Sequence, residues 1–231
     1  MRTKALPLAA GLWATAVLPS AADAAAMLYE AGFHLDGTTW DTGFSPPDAL
    51  TDVPGLDASA FDEITGLGTL VWTIATAGSH TLAAYFDHGI DVTDNGFSNE
   101  NGSVSGAPAT GQSWEMDDPW NGDIFPNFDA GSLDDSNAVD TTSWPIGTDA
   151  SMATGFDFLL SADQIATITI DIAESLTTSA FKLIQTDFVT GNTVEMAASL
   201  SIKDQGAAPA PATLALLAVG LLGLRRATTR R

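Results

Sequence analysis

The stretch ATITIDI, residues 166–172, alternates strictly between apolar and polar side chains. In an extended chain successive side chains point to opposite faces, so Ile168, Ile170 and Ile172 fall on one side and Thr167, Thr169 and Asp171 on the other. That is the pattern of a half-buried strand. The same period recurs in TLVWTIA (69–75), with Leu70, Trp72 and Ile74 on one face, and in VEMAASLSI (194–202), with Val194, Met196, Ala198, Leu200 and Ile202. MLYEAGFHL (27–35), HTLAAYFD (80–87), GFDFLLS (155–161) and FKLIQTDF (181–188) are further strand candidates. Gly, Asn, Asp, Ser and Pro clusters separate these runs, notably DNGFSNENG (94–102) and the long tract from 107 to 149. No window between the two chain ends sustains a helical period. The expected fold is all-β, an antiparallel β-sandwich of jelly-roll type, with 107–149 as long loops or irregular edge strands.

Charge sharpens the picture. The 231 residues carry a formal net charge of -21, and all but one of the 29 acidic residues, Asp23, lie between 27 and 208. In that body Lys182 and Lys203 are the only basic side chains. Such a surface repels nucleic acid and anionic membranes and leaves divalent cations, polycations and neutral glycans as partners. The chain has no cysteine, which excludes thiol catalysis, thiolate metal sites and disulfides.

The ends are of a different character. Residues 1–26 begin with Arg2 and Lys4, continue through an apolar run from Ala5 to Leu18 and reach small residues with A-x-A spacing at Ala22 to Ala24 or Ala24 to Ala26. This is the layout of a cleavable signal peptide with an N-terminal helix. At the other end, the apolar run from Ala212 to Leu224 spans about 20 Å as a helix, short of the roughly 30 Å hydrocarbon core. Snorkelling of Arg225, Arg226, Arg230 and Arg231 would extend it and keep the C-terminus cytoplasmic. The expected organisation is a signal peptide at 1–26, an acidic sandwich at 27–206 and a tail at 207–231, with a short transmembrane helix at 212–224 and an Arg-rich end at 225–231.

The tail resembles the PEP-CTERM sorting signal of Gram-negative bacteria, in which a Pro-Glu-Pro motif precedes a short transmembrane helix and an Arg-rich end. Pro209 and Pro211 match the motif, and Ala210 stands where the family usually has Glu. The resemblance implies export, transient residence in the inner membrane and removal of the tail by an exosortase-type membrane protease, with delivery to the cell surface or extracellular matrix. Within the body, GQSWEMDDPWNGDIF (111–125), LDDSN (133–137), SMATGFDF (151–158) and QTD (185–187) look like blocks that recur, in this order, in one group of secreted PEP-CTERM proteins. That group supplies no mechanism.

The body offers few chemical motifs. His80 and His88 lie eight residues apart, about 26 Å along a continuous strand, so they cannot share a metal ion. His34 is remote from both. No G-x-S-x-G elbow is present, and among so many acids a glycosidase pair is not diagnostic; Glu115 with Asp117 or Asp123 is the best such pair. Calcium is the better chemical expectation, since hard cations take several carboxylate oxygens. DVTDNGFSNENG (91–102) fails as an EF-hand because Gly102 occupies the position of the bidentate Glu. Candidate ligands are Asp117, Asp118 and Asp123, or Asp134, Asp135 and Asp140. Trp114, Trp120 and Trp144 are candidate glycan-stacking platforms, with anchoring of loops onto the sandwich as the alternative. The sequence reading is a non-enzymatic, exported structural protein of the cell surface or exopolysaccharide matrix, followed by a calcium-assisted carbohydrate-binding module and then a glycan-active hydrolase. If the tail is processed, mass spectrometry of the surface fraction should find no residues beyond about Pro211; intact Arg231 there would contradict removal.

Overall fold

A computed structural model describes residues 26–43, 50–92, 96, 99–139, 148–177 and 180–205. The expected signal segment up to residue 25, the expected sorting tail with Pro209, Ala210, Pro211 and the four arginines, and the candidates Asp140 and Trp144 lie outside the described residues. Among the described residues no helix is long and apolar enough to cross a membrane.

Alternation in residues 164–173 gives strand β10 (Gln164–Ala173), numbered in chain order, with Ile168, Ile170 and Ile172 buried and Thr167, Thr169 and Asp171 half-buried. β10 is central to one six-stranded sheet, here sheet B. Its neighbours are β4 (Leu67–Ile74) and β12 (Thr193–Asp204), so that Ile168 sits between Trp72 and Leu200, and Ile170 between Leu70 and Ala198. β3 (Leu56–Asp62), β11 (Lys182–Asp187) and β6 (Glu100–Ser105) complete the order β3-β4-β10-β12-β11-β6, antiparallel throughout.

Sheet A has the order β2-β1-β5-β9-β7-β8. Its strands are β1 (Ala26–Leu35), β2 (Thr38–Asp41), β5 (Gly78–Ile90), β7 (Gln112–Asp117), β8 (Ser136–Asn137) and β9 (Ser151–Leu160). All pairs are antiparallel except the two-residue match of β7 with β8. The apolar faces of A and B meet in one core, where Phe33 of β1 stands edge-on to Trp72 of β4 at 5.7 Å and to Phe86 of β5 at 5.9 Å. Trp72 satisfies its buried indole N–H on the Pro54 carbonyl at 2.8 Å. The all-β sandwich expected from the alternation is the observed architecture.

The tract from 107 to 149, expected as loops or edge strands, contains β7, β8 and a one-and-a-half-turn helix, α1 (Ile124–Asp129). α1 lays Ile124 and Phe128 on the outer face of sheet A against Ala83, Tyr85 and Ala153. A Cβ on Gly32 would meet the Phe128 ring at 2.6 Å, so glycine is what admits that ring. β5 is therefore covered on both faces, and every residue from Leu82 to Ile90 is buried.

Ala26 lies opposite Ile90, and Gly66, just before β4, meets His88 near the end of β5. β4 and β12 flank β10 antiparallel to it, so β12 starts at this same end of the sandwich and finishes at Asp204, opposite Gln164, at the other. Twelve residues at about 3.3 Å each separate those ends by roughly 40 Å. Replacing Trp72 with Ala should lower unfolding free energy by about 3–5 kcal/mol in urea titrations. Thr73→Ala, on the exposed face of the same strand, should cost less than about 1 kcal/mol.

Candidate metal centre

β7 alternates like its neighbours, placing Trp114 and Met116 toward the core and Glu115 and Asp117 on the outer face of sheet A. Register sets Glu115 opposite Ala153 and Asp117 opposite Ser151. After Asp117 the chain reverses. Asp118 organises that turn: its Oδ1 accepts the N–H groups of Trp120 and Asn121, each at 2.9 Å, and its Oδ2 accepts Asn121 Nδ2 at 3.1 Å. Asp117 takes the N–H of Asp118 on Oδ1 (2.7 Å) and of Asp123 on Oδ2 (2.9 Å), which draws the far end of the turn back to the strand. The close approach requires Gly122, because a Cβ there would fall 1.9 Å from Asp117 Oδ2.

As a result Glu115, Asp117 and Asp123 each bring a carboxylate oxygen within 4.8 Å of the others. Glu115 is fully buried, accepts Asn127 Nδ2 on both oxygens at 3.1 Å and takes the Asp134 N–H at 3.3 Å. Burial pushes its carboxyl up to about 7, opposed by the Asn127 hydrogen bond and reinforced by the charge of Asp134. Asp123 is exposed and gives the cluster an opening to solvent. Three convergent hard oxygens suit a divalent cation with oxygen preference, and water would complete its shell.

The other sequence candidates separate. Asp118 serves the turn. Asp134 caps Ser136 at 3.0 Å, and Asp135, with φ 59°, accepts the Trp114 N–H at 3.0 Å; both sit on the approach to β8, beside the cluster of three. Trp114 packs into the core with its ring 5.5 Å from Phe181, on the opposite face of sheet A from Glu115. Trp120 stands at the turn's tip, 66% exposed. The histidines serve three separate places. His34 Nε2 accepts the Gly37 N–H, His80 lies 2.7 Å from both Asp36 and the Thr76 carbonyl, and His88 meets the Gly66 carbonyl at 3.1 Å.

Sequence reasoning missed a row of polar groups beside this centre. Glu30, Asp87, Ser151 and Asp117 are successive neighbours across β1, β5, β9 and β7, on the outer face. Asp87 accepts Ser151 Oγ at 3.0 Å, and burial pushes its carboxyl up to about 6. Burial, then contact with Asp41, pushes Glu30 up to about 8. A lone acid in the apolar run AAYFD was the available signal, but only the register across four strands unites the row.

Comparison of the chain with protein families, with curated proteins and with solved structures finds no match.

Raised folded-state values on Glu30, Asp87 and Glu115 mean that the folded chain holds protons the unfolded chain releases above about pH 4–5. Their contribution to stability is complete in acid and is lost as pH rises through about 6 to 8. The melting temperature in EDTA should therefore fall between pH 5.5 and pH 8.5; a flat or rising profile would show that these carboxyls ionise without penalty.

Proposed function

We propose that the chain is an exported, non-enzymatic β-sandwich module of the cell surface or exopolysaccharide matrix, jelly-roll-like in its connections, which holds calcium at Glu115, Asp117 and Asp123. The convergence of those three carboxylates, one of them fully buried, carries the reading. Calcium tolerates irregular shells of six to eight oxygens, so three carboxylates with water and loop carbonyls suffice. The hydrogen bonds that Asp117 and Glu115 make to the turn and to Asn127 favour a structural role for the ion, because binding would brace the connection from β7 to α1.

Export rests on the layout of residues 1–26 and on the likeness of the tail to a PEP-CTERM signal. In this reading the signal helix is cleaved, helix 212–224 holds the chain in the inner membrane, and an exosortase-type protease removes the tail. β12 hands the chain to the tail at the end opposite the Asp117 turn, so a tethered molecule presents its acidic end outward. An extracellular calcium level then keeps the site loaded.

Trp120 favours a second reading, a calcium-assisted carbohydrate-binding module. Its exposed indole stands on the turn that Asp118 fixes, where a sugar ring can stack beside a bound cation. Loss of glycan binding in Trp120→Ala with calcium affinity intact would establish it.

The cation itself is tested by thermal unfolding in EDTA, in millimolar magnesium and in millimolar calcium. At about 100 times its dissociation constant, calcium should add about 2.7 kcal/mol, or roughly 5–10 °C. Asp123→Asn should abolish the gain. No rise beyond the magnesium control would overturn the calcium site and leave the carboxylates as a self-capping turn.

A further inference from the structure

Glu100 opens β6 at the edge of sheet B, yet its side chain is buried and reaches sheet A. Oε1 accepts the Ile90 N–H at the end of β5 (2.9 Å), and Oε2 accepts the Ala150 N–H just before β9 (3.2 Å). From β11, Gln185 donates Nε2 to the same Oε2 at 2.6 Å and to the His88 carbonyl of β5 at 2.5 Å. Segments of both sheets thus meet on one carboxyl group.

Asp149 stands between two residues bonded to Glu100, since Thr148 accepts the Glu100 N–H at 3.1 Å and Ala150 donates to Oε2, and its carboxyl comes within hydrogen-bonding reach of the Glu100 carboxyl. Both are acids, and two ionised carboxylates are acceptors only, so the bond requires a proton on one of them. The remaining titratable groups around the pair do not supply a counter-charge. Asp87 of β5, Asp118 beyond β7 and Tyr29 of β1 are acidic groups within electrostatic reach, and Asp187 of β11, the register partner of Glu100, is a further buried acid. His88 is fully buried; burial pushes its imidazole down to about 4, so it stays neutral. Lys182 is engaged 2.7 Å from Glu195. Among the described residues no cation stands against Glu100 or Asp149.

We propose that Glu100 and Asp149 share one proton, that this proton locks the two sheets together at the end of the sandwich bearing the acidic turn, and that its loss in alkaline medium loosens that end. The device is independent of any cation at Glu115. Burial first, and then the charge of Asp149 on Glu100 and of Asp87 on Asp149, raise both carboxyls well above their ordinary range. The sign follows: the pair keeps its proton in the folded state where the unfolded chain has lost it, so the lock is complete in acid and weakens as pH rises through the raised values. Ala150 and Ser151 lead into β9, and Ser151 is the register partner of Asp117, so the lock and the acidic turn share a strand end.

The test is a carboxyl-carbon NMR titration of the full chain in EDTA, with amide hydrogen exchange measured on the same samples. At pH 6.5 one carboxyl of the pair should still be protonated. Protection of the Ile90 and Ala150 amides should fall about tenfold per pH unit toward the titration midpoint, the dependence one proton gives. Asp149→Asn, whose amide donates to Glu100 without a shared proton, should hold that protection constant with pH. Two ionised carboxyls in the wild type at pH 6.5 would overturn the proposal whether or not the variant folds. So would protection that is unchanged across the pair's titration.

Discussion

Phe128 lies over Gly32 on the outer face of sheet A, and the electrostatics of the molecule follow from that contact. A sandwich of two sheets ordinarily leaves each outer face in water, where carboxylates are cheap to ionise. Here α1 covers the outer face at Ala83, Tyr85 and Ala153, and the chain that carries α1 must leave and rejoin the sheet beside it. Glu115 is trapped beneath that excursion. Asp87 and Glu30 lie one register row away and lose much of their solvent too. In a body with only two lysines, such burial has three remedies: neutral hydrogen-bond donors of backbone and side chain, protons or metal ions.

The three remedies divide the acidic end between them. Asp118 uses amides alone, closing the turn on Trp120 and Asn121. Glu100 uses amides on both oxygens and has an acid for its remaining neighbour, which leaves a proton as the fit. Glu115 and Asp117 also have amide partners, but their oxygens converge with that of Asp123 beside an exposed edge, where a hydrated cation has access. Position relative to solvent, more than residue type, separates the role of Glu100 from that of Glu115.

Much of the sandwich was legible because alternation is a local property. Ile168, Ile170 and Ile172 declare a buried face without reference to any partner, and β4 and the first half of β12 do the same, whereas β11 buries Gln185 and Asp187 beside Leu183 on a face its sequence does not mark as apolar. β6 was illegible: ENGSVS is polar and small, and it becomes a strand only because β11 presents an open edge to it. α1 was illegible for another reason, since Ile124 and Phe128 are two anchors four residues apart, too few to make a period. Within the centre, Glu115, Asp117 and Asp123 were each visible as acids near a Pro/Gly turn. Their convergence depends on Gly122 approaching Asp117, a contact that spacing alone does not specify. Glu100 and Asp149 stand 49 positions apart, and only the crossing between sheets joins them.

The placement of the chain ends gives these groups a common direction. β1 begins, and the β11 to β12 connection turns, at the end occupied by Ile90, Glu100 and the Asp117 turn, while β12 runs the whole length of sheet B before the chain departs at Asp204. A tether at the C-terminus would therefore hold the molecule by its plain end and expose the end whose carboxyls are raised, paired and clustered. Cleavage within the Ala-rich segment before Met27 would leave the new amino terminus at that same outward end, adjoining the β1 row to which Glu30 belongs. An α-ammonium there would be one more positive charge close to the acidic row. Processing at the two ends would then act unequally: removal of a tail would free the plain end, whereas removal of a leader would alter the electrostatics of the end away from the tether.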